Sequence, residues 1–349
     1  MAWPVSERAW LAAAGWLLAA LLLALLLVRG AIAYAHRRGM LDQPGRRRSH
    51  VMPTPRGGGI GIVIAVLICM PGSLLGLPEA WPRGVVAGVA LALSMVALVG
   101  WWDDHRALPA WPRLGVQLLA VGLFSLMLVA TGISPGWLPL LLLAGAWSIN
   151  LHNFMDGIDG LLAQQAIFVG SGLAVLAWFA AQPALAVGAA VLAAATLGFW
   201  FYNRHPARIF MGDVGSGSIG LLVFALSAML WRVDHAMLWP ALLVSSAFVT
   251  DASATLLMRI WHGRRWHAPH REHLYQWLAR RDFTHAGAAS AYLAWNLLAA
   301  APSAWLVAIH PGLDLPVTLF VYIIAAALWL GLKRRCLRRL PSKDRHVVA

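Results

Sequence analysis

Apolar positions in this chain come in long, nearly unbroken runs separated by short polar islands, rather than alternating as in strands or recurring as one stripe of a helix. The runs lie at 10–28, 58–77, 84–101, 114–131, 136–150, 161–181, 184–200, 217–231, 236–257, 286–309 and 314–332. A helix needs roughly 20 apolar residues to cross the hydrocarbon core. The pattern therefore predicts an all-α integral membrane protein, a polytopic bundle of about eleven transmembrane helices. The first run has its arginines behind it rather than ahead of it, which predicts a retained first helix rather than a cleaved leader. No internal repeat, low-complexity linker or soluble segment interrupts the series, so 1–349 is expected to form a single polytopic domain. The polar islands that could carry chemistry fall near 42–57, 102–113, 150–160, 203–218 and 258–285.

Composition agrees: 60% of the 349 residues are hydrophobic, 12% are charged, and mean hydropathy is +0.69. Soluble domains carry about twice that share of charge, which excludes an ordinary cytosolic globular protein. The net charge of +13 could suggest nucleic acid. A nucleic-acid binder, however, gathers its basic residues on one solvated face, and here they sit between spans, so no nucleic-acid partner is expected. Their distribution sets the topology instead. With the N-terminus outside, 24 of the 27 Lys and Arg fall on inner segments and only Arg8, Arg83 and Arg232 remain outside. Positive residues favour the cytoplasmic side, so the C-terminus and the chemistry-bearing loops are expected there, in a bacterial inner membrane. Cys69 and Cys336 are too few and too differently placed for a disulfide framework.

Five constellations stand out. In Asn150-Leu-His-Asn153-Phe-Met-Asp156-Gly-Ile-Asp159-Gly160 a polar group recurs every third residue. On a helix such neighbours share a face, and carboxylate and amide oxygens suit Mg²⁺ or Mn²⁺ rather than zinc. Asp103-Asp104 ends an apolar run; adjacent carboxylates repel, so one of them calls for a cation or a raised pKa and can serve as a general base. In Gly212-Asp213-Val-Gly215-Ser216-Gly-Ser218, just ahead of an apolar helix, bare backbone N–H groups could take phosphate while Asp213 holds a bridging cation. Asp42 to Gly59 carries Arg46, Arg47, Arg48, His50 and Arg56 on a Pro–Gly loop, suited to phosphate or to anionic headgroups. His267, His270, Arg271, His273 and Tyr275 lie in the longest inner loop, with no cysteine near to favour zinc, and fit diphosphate or sugar recognition. Asp251 lies at the inner end of an apolar run, and its role is open between a site residue and a partner for a nearby Arg.

In this order, Asp103-Asp104, Asn150–Gly160, Gly212–Ser216 and His270–Tyr275 resemble the polyprenyl-phosphate N-acetylhexosamine-1-phosphate transferases of glycosyltransferase family 4, over residues 42 to about 280. The resemblance implies transfer of an N-acetylhexosamine 1-phosphate from a UDP-sugar to undecaprenyl phosphate, with release of UMP and with Mg²⁺ as cofactor. It implies Asn153 and Asp213 as metal ligands, Asp156 and Asp159 in the nucleotide and metal site, and Asp103 or Asp104 as base or lipid-phosphate contact. It implies His270, Arg271 and His273 as the loop that recognises sugar and diphosphate, and the motifs themselves add Asn150, Gly215, Ser216, His50 and Arg56 as expected substrate-binding residues. Two positions depart from the family pattern. Ala107 stands where many members have a charged residue, and the loop reads His270-Arg271-Glu272-His273. That loop form looks like the branch that initiates O-antigen and related surface polysaccharides. A phospho-N-acetylmuramoyl-pentapeptide translocase is the alternative within the superfamily. A transporter of lipid-linked sugars would need polar groups at the bilayer midplane, whereas here they gather at the ends of spans. Membrane lipid surrounds the protein, and the reading is compatible with a homodimer.

Overall fold

A computed structural model describes residues 6–42, 53–264, 270–281 and 283–338. Among them nine helical segments are long and apolar enough to cross a membrane. They are α1 (Glu7–Arg38), α2 (Gly59–Gly76), α3 (Arg83–His105), α4 (Ala110–Val129), α6 (Leu161–Phe179), α7 (Pro183–Asn203), α8 (Asp213–Val233), the pair α12 (His285–Trp295) and α13 (Ala301–Ile309), and α14 (Asp314–Arg338) with the turn before it. A tenth is formed if α9 (Leu238–Val244), with its leading 3-10 turn, and α10 (Ser246–Trp261) count as one span. The helix α5 (Leu138–Phe154), of 17 residues, is at the short end of spanning length. The eleven apolar runs thus each have a helical counterpart, and the protein is an all-α, multi-pass membrane protein. The short helix α11 (Leu274–Arg281) lies outside the spans.

Three details differ from the pattern expected from sequence. The run 236–257 is not one straight helix but bends by 75° at Ser245. A Ser-Ser step is a common kink site, and Ser245 Oγ donates to the carbonyl of Ala241 at 3.1 Å. Secondly, an antiparallel ribbon pairs β1 (Leu41–Asp42) with β2 (Thr54–Pro55), in register Leu41 with Pro55 and Asp42 with Thr54. Arg46, Arg47, Arg48 and His50, between its strands, lie outside the described residues, as does His267. Thirdly, the motif 150–159 is not all helical: α5 stops at Phe154, and Gly160 (φ +74°) turns the chain into α6. Asp156 and Asp159 therefore sit on a loop and do not share the helix face of Asn150 and Asn153.

α8 is the axis of the bundle. Its apolar window is 94% buried by protein, against 22% for α1 and for the last span. It packs against α3 and α5 most closely, and against α2 and α6. The approach of α2 depends on missing side chains: a Cβ on Gly59 would lie 2.2 Å from the Gly215 Cα. Small residues let transmembrane backbones approach in this way and gain packing contacts. The segment ahead of α2 is laced to the segment ahead of α8 by Gly58 N–H to the Phe210 carbonyl, Gly59 N–H to Met211 and Phe210 N–H to Pro55. One end of the bundle thus gathers the starts of α2 and α8, the ends of α3, α5, α7 and α10, and α11.

Candidate active site

At the end of α3 the paired acids point to different tasks. The Asp104 carboxylate is buried and accepts hydrogen bonds from the backbone N–H groups of Asp213 and Val214, both at 3.1 Å. It caps α8 from another helix, and opposes the positive end of that helix's dipole. Gly212 makes the fit possible, with φ +75° and room that a Cβ would fill at 2.5 Å from Asp104 Oδ2. Arg56 donates to the Asp104 main-chain carbonyl. Asp103 turns the other way: Oδ1 accepts from Leu108 N–H at 2.5 Å, and Oδ2 meets Arg113 Nη1 at 2.6 Å. The same nitrogen of Arg113 lies 2.6 Å from Asp213 Oδ2. A single cationic nitrogen thus bridges carboxylates from two helices.

The glycine-rich segment does not offer its backbone to a ligand in the way its sequence suggests. It is the first turn of α8, and its leading N–H groups are taken, those of Asp213 and Val214 by Asp104 and those of Gly215 and Ser216 by the Gly212 carbonyl. Gly215 is buried against Gly59, and Ser216 Oγ accepts from Asn153 Nδ2 at 3.1 Å. Neither serine caps the helix, since Ser218 Oγ bonds back to the Val214 carbonyl at 2.6 Å. The oxygen-rich side of this turn is Asp213.

Asp156 completes the acidic cluster. Its carboxyl is half-buried and is pushed up to about 8 by loss of water, and further by the charges of Asp213, Asp104 and Asp159. Such a concentration of carboxylates needs a compensating cation. Asn153 uses its amide nitrogen on Ser216, which leaves its carbonyl oxygen for coordination. Asp156, Asp213 and Asn153 offer hard oxygen atoms of the kind that suits Mg²⁺ or Mn²⁺, although among the described residues Asp103, Asp156 and Asp213 do not bring one oxygen each within 4.8 Å of one another. Asn150 is turned to α4, where it donates to Gln117 Oε1 at 2.8 Å, one helical turn from Arg113. Asp159 belongs to a different group. His205 Nδ1 lies 2.7 Å from its Oδ2, His285 Nδ1 lies 3.4 Å from its Oδ1, and Ala207 N–H donates at 3.2 Å. Burial raises its pKa, but these hydrogen bonds outweigh burial and hold it below the usual carboxylate range.

The loop 270–281 docks on the end of α5. His270 and His273 lie against Phe154, with ring centroids at 6.3 and 6.0 Å, and Tyr275 donates to the Phe154 carbonyl at 2.9 Å. Burial pushes the His270 imidazole down to about 3, helped by His273 and Arg259, and also lowers His273. Arg271 is half-buried in the same loop, its carbonyl accepting from Arg280. Asp251 anchors the loop. Its buried carboxylate accepts from Leu274 N–H at 2.8 Å, Tyr275 N–H at 3.4 Å, Tyr292 OH at 2.7 Å and Trp329 Nε1 at 2.9 Å. It is thus the cap of α11 and ties that helix to α12 and α14. Glu272 adds an ion pair to Arg264 at 3.0 Å and one to Arg259.

Most residues singled out in the sequence therefore meet at one end of the bundle. Beside the acids a polar cavity of about 510 Å³ opens between Arg38, Arg56, Asp104 and His105. Sequence reasoning missed Arg113, which reads only as one more positive loop residue, and His205 and His285, which belong to no local motif. The spacing Arg113 to Gln117, four apart at the start of an apolar run, was the one available signal that both face the same way.

The segment 86–231 matches the sequence signature of glycosyl transferase family 4, and it carries the whole acidic cluster but not the 270–281 loop. The decaprenyl-phosphate N-acetylglucosaminephosphotransferase of Mycolicibacterium smegmatis is 31% identical, over 80% of this chain and 78% of the relative. The chain belongs to the polyprenyl-phosphate hexosamine-1-phosphate transferase superfamily. Superfamily relatives include a probable undecaprenyl-phosphate N-acetylglucosaminyl 1-phosphate transferase of Bacillus subtilis, 28% identical over 71% of this chain and 72% of the relative. They also include a phospho-N-acetylmuramoyl-pentapeptide-transferase of Synechococcus, 33% identical over 60% of this chain and 62% of the relative.

Proposed function

We propose that this protein transfers an N-acetylhexosamine 1-phosphate from a UDP-sugar to undecaprenyl phosphate at the cytoplasmic face of a bacterial inner membrane, with its N-terminus outside. The observation that carries the reading is the convergence of Asp103, Asp156 and Asp213, from three parts of the chain, at one end of a membrane bundle. An oxygen of the lipid phosphate bonds to the sugar-bearing phosphorus, and the bond from that phosphorus to the oxygen retained by UMP breaks. Phosphoryl transfer needs positioning and charge stabilisation more than covalent help. A bound Mg²⁺ or Mn²⁺ would supply positive charge to the phosphates, and Asn153, Asp156 and Asp213 would hold it. Arg113, already between Asp103 and Asp213, adds a further positive charge.

The hydrogen bonding at the end of α3 supports a division of labour between the paired acids. Asp104 is committed to the backbone of α8, so it positions Asp213. Asp103 is the member left to meet the lipid phosphate or its proton. The neutral His270 and the charged Arg271 are the loop side chains offered to the sugar diphosphate, while the buried His273 packs behind them against Phe154. The isoprenoid chain needs an apolar path to this end. A groove of about 270 Å³ between α5, α8 and α9, lined by Leu140, Trp147, Phe224 and Leu242, offers one.

The product would be the lipid-diphospho-sugar that starts O-antigen or a related surface polysaccharide, a reading supported by the His270-Arg271-Glu272-His273 loop. The muramoyl-pentapeptide reaction is the second reading, favoured by the 33% identity to the Synechococcus relative. One experiment separates them. Purified protein is given undecaprenyl phosphate, Mg²⁺ and a panel of radiolabelled donors including UDP-GlcNAc, other UDP-N-acetylhexosamines and UDP-MurNAc-pentapeptide. A labelled lipid with equimolar UMP from a UDP-N-acetylhexosamine supports the proposal, and product from the pentapeptide donor alone supports the second reading. Full turnover in excess EDTA would sink the cation assignment.

A further inference from the structure

Asp159, His205 and His285 lie far apart in sequence, on the loop before α6, the connection from α7 to α8, and the first residue of α12. One ligand atom from each, two imidazole nitrogens and a carboxylate oxygen, can be chosen so that all lie within 4.8 Å of one another. The two imidazole rings are 5.3 Å apart, centroid to centroid, and both present Nδ1 to the same carboxylate. We infer that Asp159, His205 and His285 form a binding site for a divalent transition ion of the Zn²⁺ class, separate from the hard-oxygen cluster of Asn153, Asp156 and Asp213.

The argument is chemical first. Imidazole and carboxylate together suit Zn²⁺ and its neighbours, whereas all-oxygen sets suit Mg²⁺. Geometry agrees. Around a tetrahedral Zn²⁺ with bonds of about 2.1 Å, ligand atoms stand roughly 3.4 Å apart. The His285 to Asp159 distance already has that value, at 3.4 Å, and the His205 pair, at 2.7 Å, needs only to open slightly. The electrostatics also call for a cation. His285 Nδ1 faces both the Asp159 carboxylate and the Asp159 backbone N–H, at 3.4 Å each. A neutral imidazole nitrogen either donates or accepts. Protonated, it opposes the N–H; unprotonated, it opposes the carboxylate. A metal ion between nitrogen and carboxylate would take the nitrogen lone pair and remove the second conflict, giving up only the N–H contact, which at 3.4 Å is long for a hydrogen bond. Access is available as well: His205 has a side chain 42% exposed, while Asp159 is 7% exposed, so an ion would be held by a buried acid and reached from solvent.

Such an ion would fasten the loop carrying Asp156 to the connection leading into Asp213, and both to α12. It would act as a brace beside the acidic cluster, holding the two parts of that cluster in register.

The test uses the full-length protein in detergent, stripped with chelator and then titrated with Co²⁺ in excess Mg²⁺, so that the hard-oxygen cluster is filled. The expected result is one Co²⁺ per chain with the visible absorption of a low-symmetry tetrahedral site, bleached by Zn²⁺. Asp213→Asn should keep this band. His205→Gln keeps a hydrogen-bonding group beside Asp159 but lacks the imidazole. It should lower Co²⁺ affinity by more than the ~10–100-fold typical of losing an outer-sphere partner. His285→Gln should do the same, and the exposed His205 variant guards against a folding failure at His285. Absence of Co²⁺ binding by the wild type in excess Mg²⁺ overturns the inference. So does unchanged affinity in His205→Gln, or loss of the band in Asp213→Asn, which would place the ion in the acidic cluster.

Discussion

Asp103 and Asp104 are adjacent in the chain and chemically identical, yet hydrogen bonding gives them opposite roles. Asp104 accepts two backbone N–H groups, so replacing it by Asn removes one acceptor and sets an amide N–H against a backbone donor. A buried donor left unsatisfied costs about 1–3 kcal/mol. Asp104→Asn is therefore expected to lower the unfolding midpoint of the purified protein as well as its turnover. Asp103→Asn weakens a part-buried ion pair with Arg113 but leaves an oxygen to accept from Leu108 N–H, and should reduce turnover with a smaller thermal shift. Equal midpoints for the two variants would remove the distinction. Asp213→Asn should leave the fold intact and reduce turnover by about 10²–10³-fold, the scale of losing one preorganised charge-stabilising group. Near wild-type turnover at limiting Mg²⁺ would take Asp213 out of the metal set. That these acids are candidates for one site could be read from their sequence, because carboxylates at the ends of apolar runs are costly to place there. Their division of labour could not, since it depends on α8 ending its backbone against α3, a contact between residues more than a hundred positions apart.

At the scale of the element, the loop 270–281 is held by buried, uncharged histidines and one buried acid. His270 titrates near 3 in the folded protein, against about 6.5 in an unfolded chain. Between those values the unfolded segment binds more protons than the folded one, so the loop loses stability as pH falls below about 6.5 and regains it above. Amide protection factors in 274–281, taken relative to the intrinsic exchange rate at each pH, should accordingly fall on acidification, and His270→Asn, which has no titrating ring, should flatten that dependence. Protection that is the same in mildly acidic and mildly alkaline solution would contradict the assignment. The composition of this loop was visible in the sequence, but its anchor was not. Asp251 looked like an isolated acid in an apolar run until the 75° bend placed it under the start of α11. Hydropathy registers length and apolarity, and a bend at a Ser-Ser step changes neither.

For the whole molecule, the order of the helices could be read from the apolar runs because each run must satisfy its own backbone within the bilayer, while the expected eleven spans become nine, or ten with the bent pair, by length and apolarity among the described residues. The arrangement of those helices around α8 could not, because a helix facing lipid and a helix facing other helices can be equally apolar. The mean hydropathy of the α8 window is 1.8, lower than the 2.7 of the peripheral α1, yet α8 is the enclosed one. Enclosure has a consequence for how the bilayer itself acts on the enzyme. A mismatch between hydrophobic length and membrane thickness is relieved by tilting or by local deformation of lipid, at a fraction of a kcal/mol per Å. That relief falls on helices that touch acyl chains, such as α1 and α14, and not on the helix that bears Asp213. Turnover in nanodiscs of short, medium and long acyl chains should therefore vary little, whereas a steep dependence on chain length would show that thickness reaches the acids through the outer helices. A protein built in this way carries Asp213 on an axle that the lipid does not grip.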